Sequence, residues 1–566
     1  MIPDDLRARL DAWLADDPDE PDRAELEALA SDDSAEAAAE LADRFGGRLE
    51  FGTAGLRGKV AAGPNRMNRA VVRATTAALA GWLRGPGRGM TGTAAPEAGV
   101  VIGCDARHRS DEFADEAARV LAGAGIRVHL LPRQQPTPLL AFAVRHLGAA
   151  AGIMITASHN PPADNGYKVY LADGAQIVPP ADAEIEAAIR DLGPLSQVRL
   201  AAPDSPLIVP VGDEVATAYL DQICARSPAP PGAAWLRFVY TPLHGVAGEL
   251  ALRAFEQAGF TAPDVVPAQA VPDPDFPTVA FPNPEEPGAL DLALAQARRS
   301  GADLVLANDP DGDRLAVAVA DPDTPGGWRT LTGDQVGALL GAYLLERTGP
   351  APDPDDRLVV TTIVSSTLLS RIAAAAGAQY AETLTGFKWI VRAGRPGSRF
   401  VFGYEEALGY SVGDTVRDKD GIGAALTLLG LAARARSGGE SLLDAYDALE
   451  AAHGVHLTAQ VTLDTAAPVD VMARLRAAPP AKLGDAAVVT TTDLTGGTRD
   501  LPSADVLSYK LAGARVVIRP SGTEPKIKAY FEVVEPVLLG RLGQARRAAE
   551  ARLEPLREAV RALLAD

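Results

Sequence analysis

The chain is poor in cysteine, has no long apolar run and is short of positive charge, and each shortage removes a class of function. Cys104 and Cys224 are the only cysteines in 566 residues. They lie far apart and match no metal or redox spacing, which excludes a disulfide scaffold and a thiolate metal centre, so both are expected to be reduced, buried small hydrophobes. No apolar stretch is long enough to cross a bilayer, and Met1-Ile-Pro-Asp-Asp-Leu-Arg7 has neither the basic nor the apolar region of a secretion signal. The expectation is a cytoplasmic protein with no membrane partner. Lys and Arg number 54 against 74 Asp and Glu, a formal charge of −20. Nucleic-acid binding, which needs a basic surface to release counterions, is therefore not the expected activity. An anionic small molecule in a locally basic cleft is still admitted.

What is present is globular. Hydrophobic residues make up 47% and charged residues 23%, and at the usual domain size a chain this long implies about four domains of roughly 150 residues. Residues 1–45 read as acidic helices, first around Leu6, Leu10, Trp13 and Leu14, then from Asp22 to Phe45. The run from Val100 to Arg107, a helix from Ser110 to about Ala124 and a strand over Ile126–Leu131 give a βαβ rhythm, hence an α/β layer with functional loops at its strand ends. Ala201–Pro210 reads as an inter-domain link. From His453 onward the pattern changes to α+β, closing with an amphipathic helix from Pro536 to Leu564.

Five stretches carry chemistry. Leu147–Ile155 leads into Thr156-Ala-Ser158-His159-Asn-Pro161, a hydroxyl between a strand and a turn, with Lys168 shortly after. Phe51–Gly58 sets three glycines around Arg57, a loop able to approach an anion closely. Asp309-Pro-Asp311-Gly-Asp313-Arg314 places carboxylates at alternate positions of a tight loop, where they repel one another unless a cation neutralises them. An EF-hand would need Gly and Glu where this loop has Arg314 and Ala320, so a Mg²⁺-like shell completed by phosphate and water is the better reading. Glu405 and Glu406 end a strand too close together to act as a glycosidase pair, and suit sugar hydroxyls instead. Arg519-Pro-Ser521-Gly522-Thr523-Glu-Pro-Lys526 gathers the donors of a phosphate clamp without a Walker-A pattern. Thr385-Gly-Phe-Lys388 and Arg417-Asp-Lys419 add cationic loops, and the proline-rich loop Val271–Pro287 is expected to be functional or packed on a neighbour.

In this order, from Phe51 to Glu532, these motifs resemble the α-D-phosphohexomutase superfamily. Tyr240-Thr-Pro-Leu-His-Gly, Thr385-Gly-Phe-Lys-Trp-Ile and Gly403-Tyr-Glu-Glu-Ala-Leu-Gly-Tyr are similar to its phosphoglucomutase-2 and phosphopentomutase branch. The resemblance implies three related α/β domains with mixed sheets and a C-terminal α+β domain around a central cleft, expected at 1–205, 206–325, 326–452 and 453–566. It implies a phosphosugar mutase working through phospho-Ser158 and a sugar 1,6-bisphosphate, which also serves as primer. One Mg²⁺ per chain would lie on Asp309, Asp311, Asp313 and the Ser158 oxygen. Ser158, Lys168, His159, Arg57 and Lys419 would form the catalytic set, with the general acid/base open among Lys168, Lys419 and His159, the last more a phosphate or orienting contact than the base. Glu405, Glu406, Arg519, Ser521, Gly522, Thr523, Lys526 and Arg314 would bind the phosphosugar. Many relatives carry Ser where this chain has Ala407, which leaves hexose and pentose substrates both open. A transferase making glucose 1,6-bisphosphate is the further alternative. Monomer or homodimer is expected.

Overall fold

The computed structural model describes residues 2–50, 55–85, 98–348, 356–465, 467–521 and 526–565. Of the stretches singled out in the sequence, residues 51–54 of the Arg57 loop and 522–525 of the phosphate clamp lie outside them. Two compact units are seen: Met1–Pro228 with Arg237–Ala316 and Thr415–Leu426, and Ala229–Leu236 with Val317–Asp414 and Thr427–Asp566.

In the first unit, helices Asp4–Asp16, Glu20–Ser31 and Ala35–Arg44 bury Leu6, Leu10, Leu26, Leu41 and Phe45 in one cluster. The single segment expected from Asp22 to Phe45 is thus two helices. Ser34 is the reason: its hydroxyl accepts from the Ala37 amide and starts a new helix.

The first sheet has strands β1 (Leu56–Lys59), β2 (Val100–Cys104), β3 (Val128–Leu130), β4 (Ala151–Ile155), β5 (Asp164–Leu171) and β6 (Ile208–Pro210), in the order β1-β5-β4-β2-β3-β6. β2 and β4 are buried along their whole length and parallel to each other, as their unbroken apolar sequences require. β5 returns antiparallel beside β4, so Lys168 pairs with Met154, and β1 beside β5 sets Arg57 opposite Gly166. The stretch read as a link carries β6, paired in parallel with β3, so the first sheet passes the boundary expected at residue 205.

The next domain contributes β7 (Phe238–Thr241), β8 (Asp264–Val265) and β9 (Leu304–Ala307), all parallel with β7 in the middle. Cys104 and Cys224 are free and buried, and burial pushes both thiols up to about 11, which keeps them unreactive.

From Val317 in the second unit, β10 (Ala316–Ala320) and β11 (Trp328–Leu331) form an antiparallel hairpin on either side of residue 325. β12 (Arg357–Thr362), β13 (Gln379–Thr383), β14 (Arg399–Glu405) and β15 (Gly409–Val412) form a mixed sheet ordered β13-β12-β14-β15. Helix Gly333–Arg347 is started by a Thr332/Gln335 capping box. β16 (Val455–Asp464), β17 (Lys482–Leu483), β18 (Ala486–Asp493), β19 (Leu507–Leu511), β20 (Ala514–Pro520) and β21 (Lys526–Glu535) form an antiparallel sheet ordered β16-β21-β20-β19-β18-β17. The last helix is Leu542–Ala565, starting later than Pro536 because β21 runs to Glu535 and a turn intervenes. The fold class is as expected: four domains built on mixed or antiparallel sheets with helices. Among the described residues no helix is long and apolar enough to cross a membrane.

Candidate active site

Ser158 follows β4 in a backbone conformation that side chains rarely adopt, with φ of 53°. Such strain persists only where the surroundings over-determine it. Here the Ser158 amide donates to Thr156 Oγ1 at 2.8 Å, and the Arg107 guanidinium donates to the carbonyls of Ser158 at 2.7 Å, Pro161 at 2.7 Å, Asn160 at 2.5 Å and Asp164 at 3.1 Å. One cation therefore gathers the loop. The Ser158 hydroxyl donates to Asp309 Oδ2 at 2.8 Å and lies 3.0 Å from His159 Nδ1. Burial, then Arg314 and Arg57, hold the His159 imidazole well below its usual range, so it is neutral beside the hydroxyl.

Asp309, Asp311 and Asp313 offer three buried carboxylate oxygens that all lie within 4.8 Å of one another. The loop is wedged in place by close backbone approach. A Cβ on Gly312 (φ +73°) would meet Ala247 Cβ at 2.8 Å and Pro136 Cβ at 3.1 Å, and one on Gly245 would meet Pro310 Cα at 2.4 Å. Thr137 donates through its amide to the Asp311 carbonyl at 2.9 Å and through its hydroxyl to Asp311 Oδ2 at 2.7 Å. Lys168 Nζ reaches Asp311 Oδ2 at 2.7 Å and Asp313 Oδ2 at 3.3 Å, and Lys419 Nζ lies 3.2 Å from Asp313 Oδ2. Asp311 Oδ1 and Asp313 Oδ1 are buried without a hydrogen-bond partner among the described residues. Burial, then Asp311 and Asp313, raise Asp309 well above the usual carboxylate range, while Lys168 holds Asp311 below it. Orphaned oxygens of hard donors on a rigid loop fit a divalent cation of the Mg²⁺ type.

Arg57, placed by β1, donates to Asn160 Oδ1 at 3.4 Å, and burial ahead of its neighbouring charges lowers its pKa. Its Nε has no partner among the described residues. Arg314 donates its amide to Asp309 Oδ1 at 2.9 Å and its guanidinium to Glu285 at 3.1 Å. The first unit thus brings together Ser158, His159, Arg57, Lys168, Lys419, Arg314 and the three aspartates.

The second unit holds the other candidates. Glu405 ends β14 opposite Gly409, and its Oε1 accepts from the Gly386 amide at 2.6 Å. Glu406 Oε2 accepts from Ser365 Oγ at 3.2 Å and Thr362 Oγ1 at 3.4 Å, and burial, then Glu405 and Asp334, push its carboxyl up to about 7. Arg519 stands near the end of β20 and Ser521 just past it, where the Ser521 amide donates to the Lys526 carbonyl at 2.8 Å. Arg519 and Lys526 therefore stand on adjacent antiparallel strands. Gly522 and Thr523 lie outside the described residues.

Four successive family models match the chain, described as phosphoglucomutase/phosphomannomutase alpha/beta/alpha domains I, II and III and C-terminal domain, over residues 48–194, 217–324, 332–451 and 460–549. The chain belongs to the phosphoglucomutase/phosphomannomutase family. A Haemophilus influenzae relative named "Probable phosphomannomutase" is 42% identical over 82% of this chain and 93% of its own. The Mus musculus relative named "Phosphopentomutase" is 37% identical over 88% of this chain and 86% of its own. The crystal structure of a phosphoglucomutase/phosphomannomutase family protein from Burkholderia thailandensis shares the fold, with a TM-score of 0.65 at 23% identity over 89% of this chain and 97% of that one. The protein is a phosphosugar mutase, an isomerase acting by phosphoryl transfer.

In this phosphoglucomutase/phosphomannomutase family member, the residues that aim the others carry no motif of their own. Arg107 ends the Val100–Arg107 run, and only its four carbonyl contacts show its weight. Its guanidinium is covered by the Phe276 ring at 5.1 Å, from the proline-rich loop expected to pack on a neighbour. Thr137 is likewise unremarkable until it meets Asp311. Asp418 accepts from Tyr170 and Gln176 at 2.7 Å each and so fixes the residue before Lys419. Their common signal was a polar residue at a strand or helix end, which most such residues share without function.

Proposed function

We propose that the protein is a phosphohexomutase that interconverts hexose 1-phosphate and 6-phosphate through phospho-Ser158. The observation that carries this reading is the Ser158 hydroxyl held 2.8 Å from Asp309 inside the buried carboxylate triad. Phosphoryl transfer needs positioning and charge neutralisation more than covalent chemistry, and both surround that oxygen. Asp309, Asp311 and Asp313 would hold Mg²⁺ together with the serine oxygen, and the ion would neutralise charge on the transferred group. Arg57 and Arg314 face the same charge. The phosphoserine P–O bond breaks as the sugar 6-hydroxyl forms its own bond to phosphorus. The hydroxyl proton passes to a base, for which Lys168 and Lys419 are the candidates by position. The resulting 1,6-bisphosphate returns its other phosphoryl group to Ser158, and the same bisphosphate primes the free enzyme. Arg519, Ser521, Gly522, Thr523 and Lys526 hold the phosphate that does not react, while Glu405 and Glu406 read sugar hydroxyls. Domains at 1–205, 206–325, 326–452 and 453–566 supply these parts in turn.

A pentose substrate is the second reading, favoured by the extended likeness to the mouse phosphopentomutase. Coupled assays with glucose, mannose, ribose and deoxyribose 1-phosphates decide between them. A hexose kcat/KM above the pentose values supports the first reading, and the reverse order replaces it. Steady turnover of an acyl-phosphate donor would instead indicate bisphosphate synthesis.

The same assay tests Glu406. With its carboxyl pushed up to about 7 by burial and by Glu405 and Asp334, the ionised form that accepts hydroxyls is complete only above that pH. Accordingly kcat/KM climbs as pH rises through about 7, because that ratio reports the free enzyme. Glu406→Gln removes this limb and leaves the phosphate's own second ionisation near ~6. An unchanged profile in the variant assigns the limb elsewhere.

A further inference from the structure

The hairpin that carries the phosphate clamp also grips the loop that supports the sugar-binding pair. Arg515 on β20 and Glu532 on β21 are direct cross-strand partners, further down the same two strands that end in Arg519 and Lys526. Both reach the turn Ser365-Ser366-Thr367 that follows β12. Glu532 Oε1 accepts from Ser366 Oγ at 3.0 Å, the Thr367 amide at 2.6 Å and Thr367 Oγ1 at 3.0 Å, with His456 Nδ1 at 3.0 Å. Arg515 donates to the Ser365 carbonyl at 2.5 Å and lies 3.2 Å from Glu532 Oε2. The turn then passes the constraint on. Ser365 Oγ donates to Glu406 Oε2 at 3.2 Å and lies 3.3 Å from the Glu406 amide. The links at the Glu532 end are shorter and charge-assisted, those at Glu406 longer, and all are buried or half-buried, the conditions under which a polar network specifies one geometry.

We infer that Arg515, Glu532 and Ser365 are positioning residues that set the sugar-reading Glu406 in register with the phosphate-binding hairpin. A sugar phosphate has a fixed distance between its phosphate and its hydroxyls, so two grips on separate domains serve it only if something fixes their separation. The Ser365–Thr367 turn lies where both grips are tied. The inference rests on the reading of Glu405, Glu406 and the hairpin given above.

Three variants and one probe test it. Ser365→Ala removes the hydroxyl to Glu406, Glu532→Gln removes the charge that holds the turn, and the double variant removes both. Inorganic phosphate, as competitive inhibitor, reports the hairpin alone. Losing one hydrogen bond to a charged group is expected to raise KM for the hexose phosphate about tenfold in Ser365→Ala. The phosphate inhibition constant should stay within about twofold, since the hairpin keeps its own contacts. Because the residues act in series, the double variant should be no worse than the worse single one, and Ser365→Thr should restore KM. A role in stability alone would lower the melting temperature and leave KM unchanged. Unaltered KM in Ser365→Ala, or two effects that multiply in the double variant, overturns the relay. Glu406→Gln separates the two levels: if it leaves KM unchanged, the sugar-binding reading itself falls, and if it raises KM while Ser365→Ala does not, only the relay falls.

Discussion

Ser158→Ala is expected to abolish the phosphoenzyme and, with it, turnover by on the order of 10⁴-fold or more, as loss of a covalent nucleophile does. Intact-mass measurement after incubation with sugar 1,6-bisphosphate checks the first part, showing a phosphoryl adduct on the wild-type chain and none on the variant. The size of the effect follows from how completely the site is built around one oxygen. Arg107 spends its guanidinium on four carbonyls of that loop, the backbone at Ser158 is held at φ 53°, and the hydroxyl already touches Asp309. The neighbouring hydroxyls hold the loops themselves, Thr156 Oγ1 accepting from the Ser158 amide at 2.8 Å and Thr137 donating to Asp311 at 2.7 Å. The fold should survive, since the side chain removed is small and the loop's ties run through backbone atoms. Full activity in Ser158→Ala, or an adduct that maps to another residue, would reject phospho-Ser158 as the carrier.

Much of this architecture can be read from the chain because its elements obey simple patterns. The continuous apolar runs at Val100–Cys104 and Ala151–Ile155 became fully buried parallel strands, and the alternating carboxylates at 309, 311 and 313 came together as three buried ligands. Other features depend on partners distant in sequence. Nothing near Arg107 indicates that it will bind a loop some fifty residues later, as it does with Ser158 and Asn160. Glu532 stands in a plain strand pattern, and its contacts with Ser366 and Thr367 exist only once the sheet is formed. Element ends were misjudged where one local group decided them, as at Ser34, or where a short edge strand such as Ile208–Pro210 is stabilised by its neighbour and not by its own prolines.

The second large effect is expected from charge at the triad. Asp309→Asn should make the cation-free protein melt at a higher temperature than the wild type while losing most catalytic activity. Without a cation, three buried carboxylates share a small volume, and burial followed by Asp311 and Asp313 drives Asp309 well above the usual range. Asparagine takes away the cost of either ionising or protonating that carboxyl and keeps an oxygen for the Arg314 amide, which donates to Asp309 Oδ1 at 2.9 Å. The repulsion falls and the shape is retained. In the wild type, Mg²⁺ binding only the folded state should raise the melting temperature, by about 2.7 kcal/mol of stabilisation at a hundred times its dissociation constant. In Asp309→Asn that shift should nearly vanish, because a hard cation loses an anionic ligand and one third of the neutralising charge. Turnover should drop by roughly 10²- to 10⁴-fold, the range for removing electrostatic stabilisation of a transferring group. Thermal melts of both proteins, after chelation and after Mg²⁺ is restored, read the two signs separately. A wild-type melting temperature that ignores Mg²⁺ would deny the triad its ion. A variant less stable than the wild type in chelator would show instead that Lys168 and Lys419, at 2.7 to 3.3 Å from these carboxylates, already neutralise the loop without one.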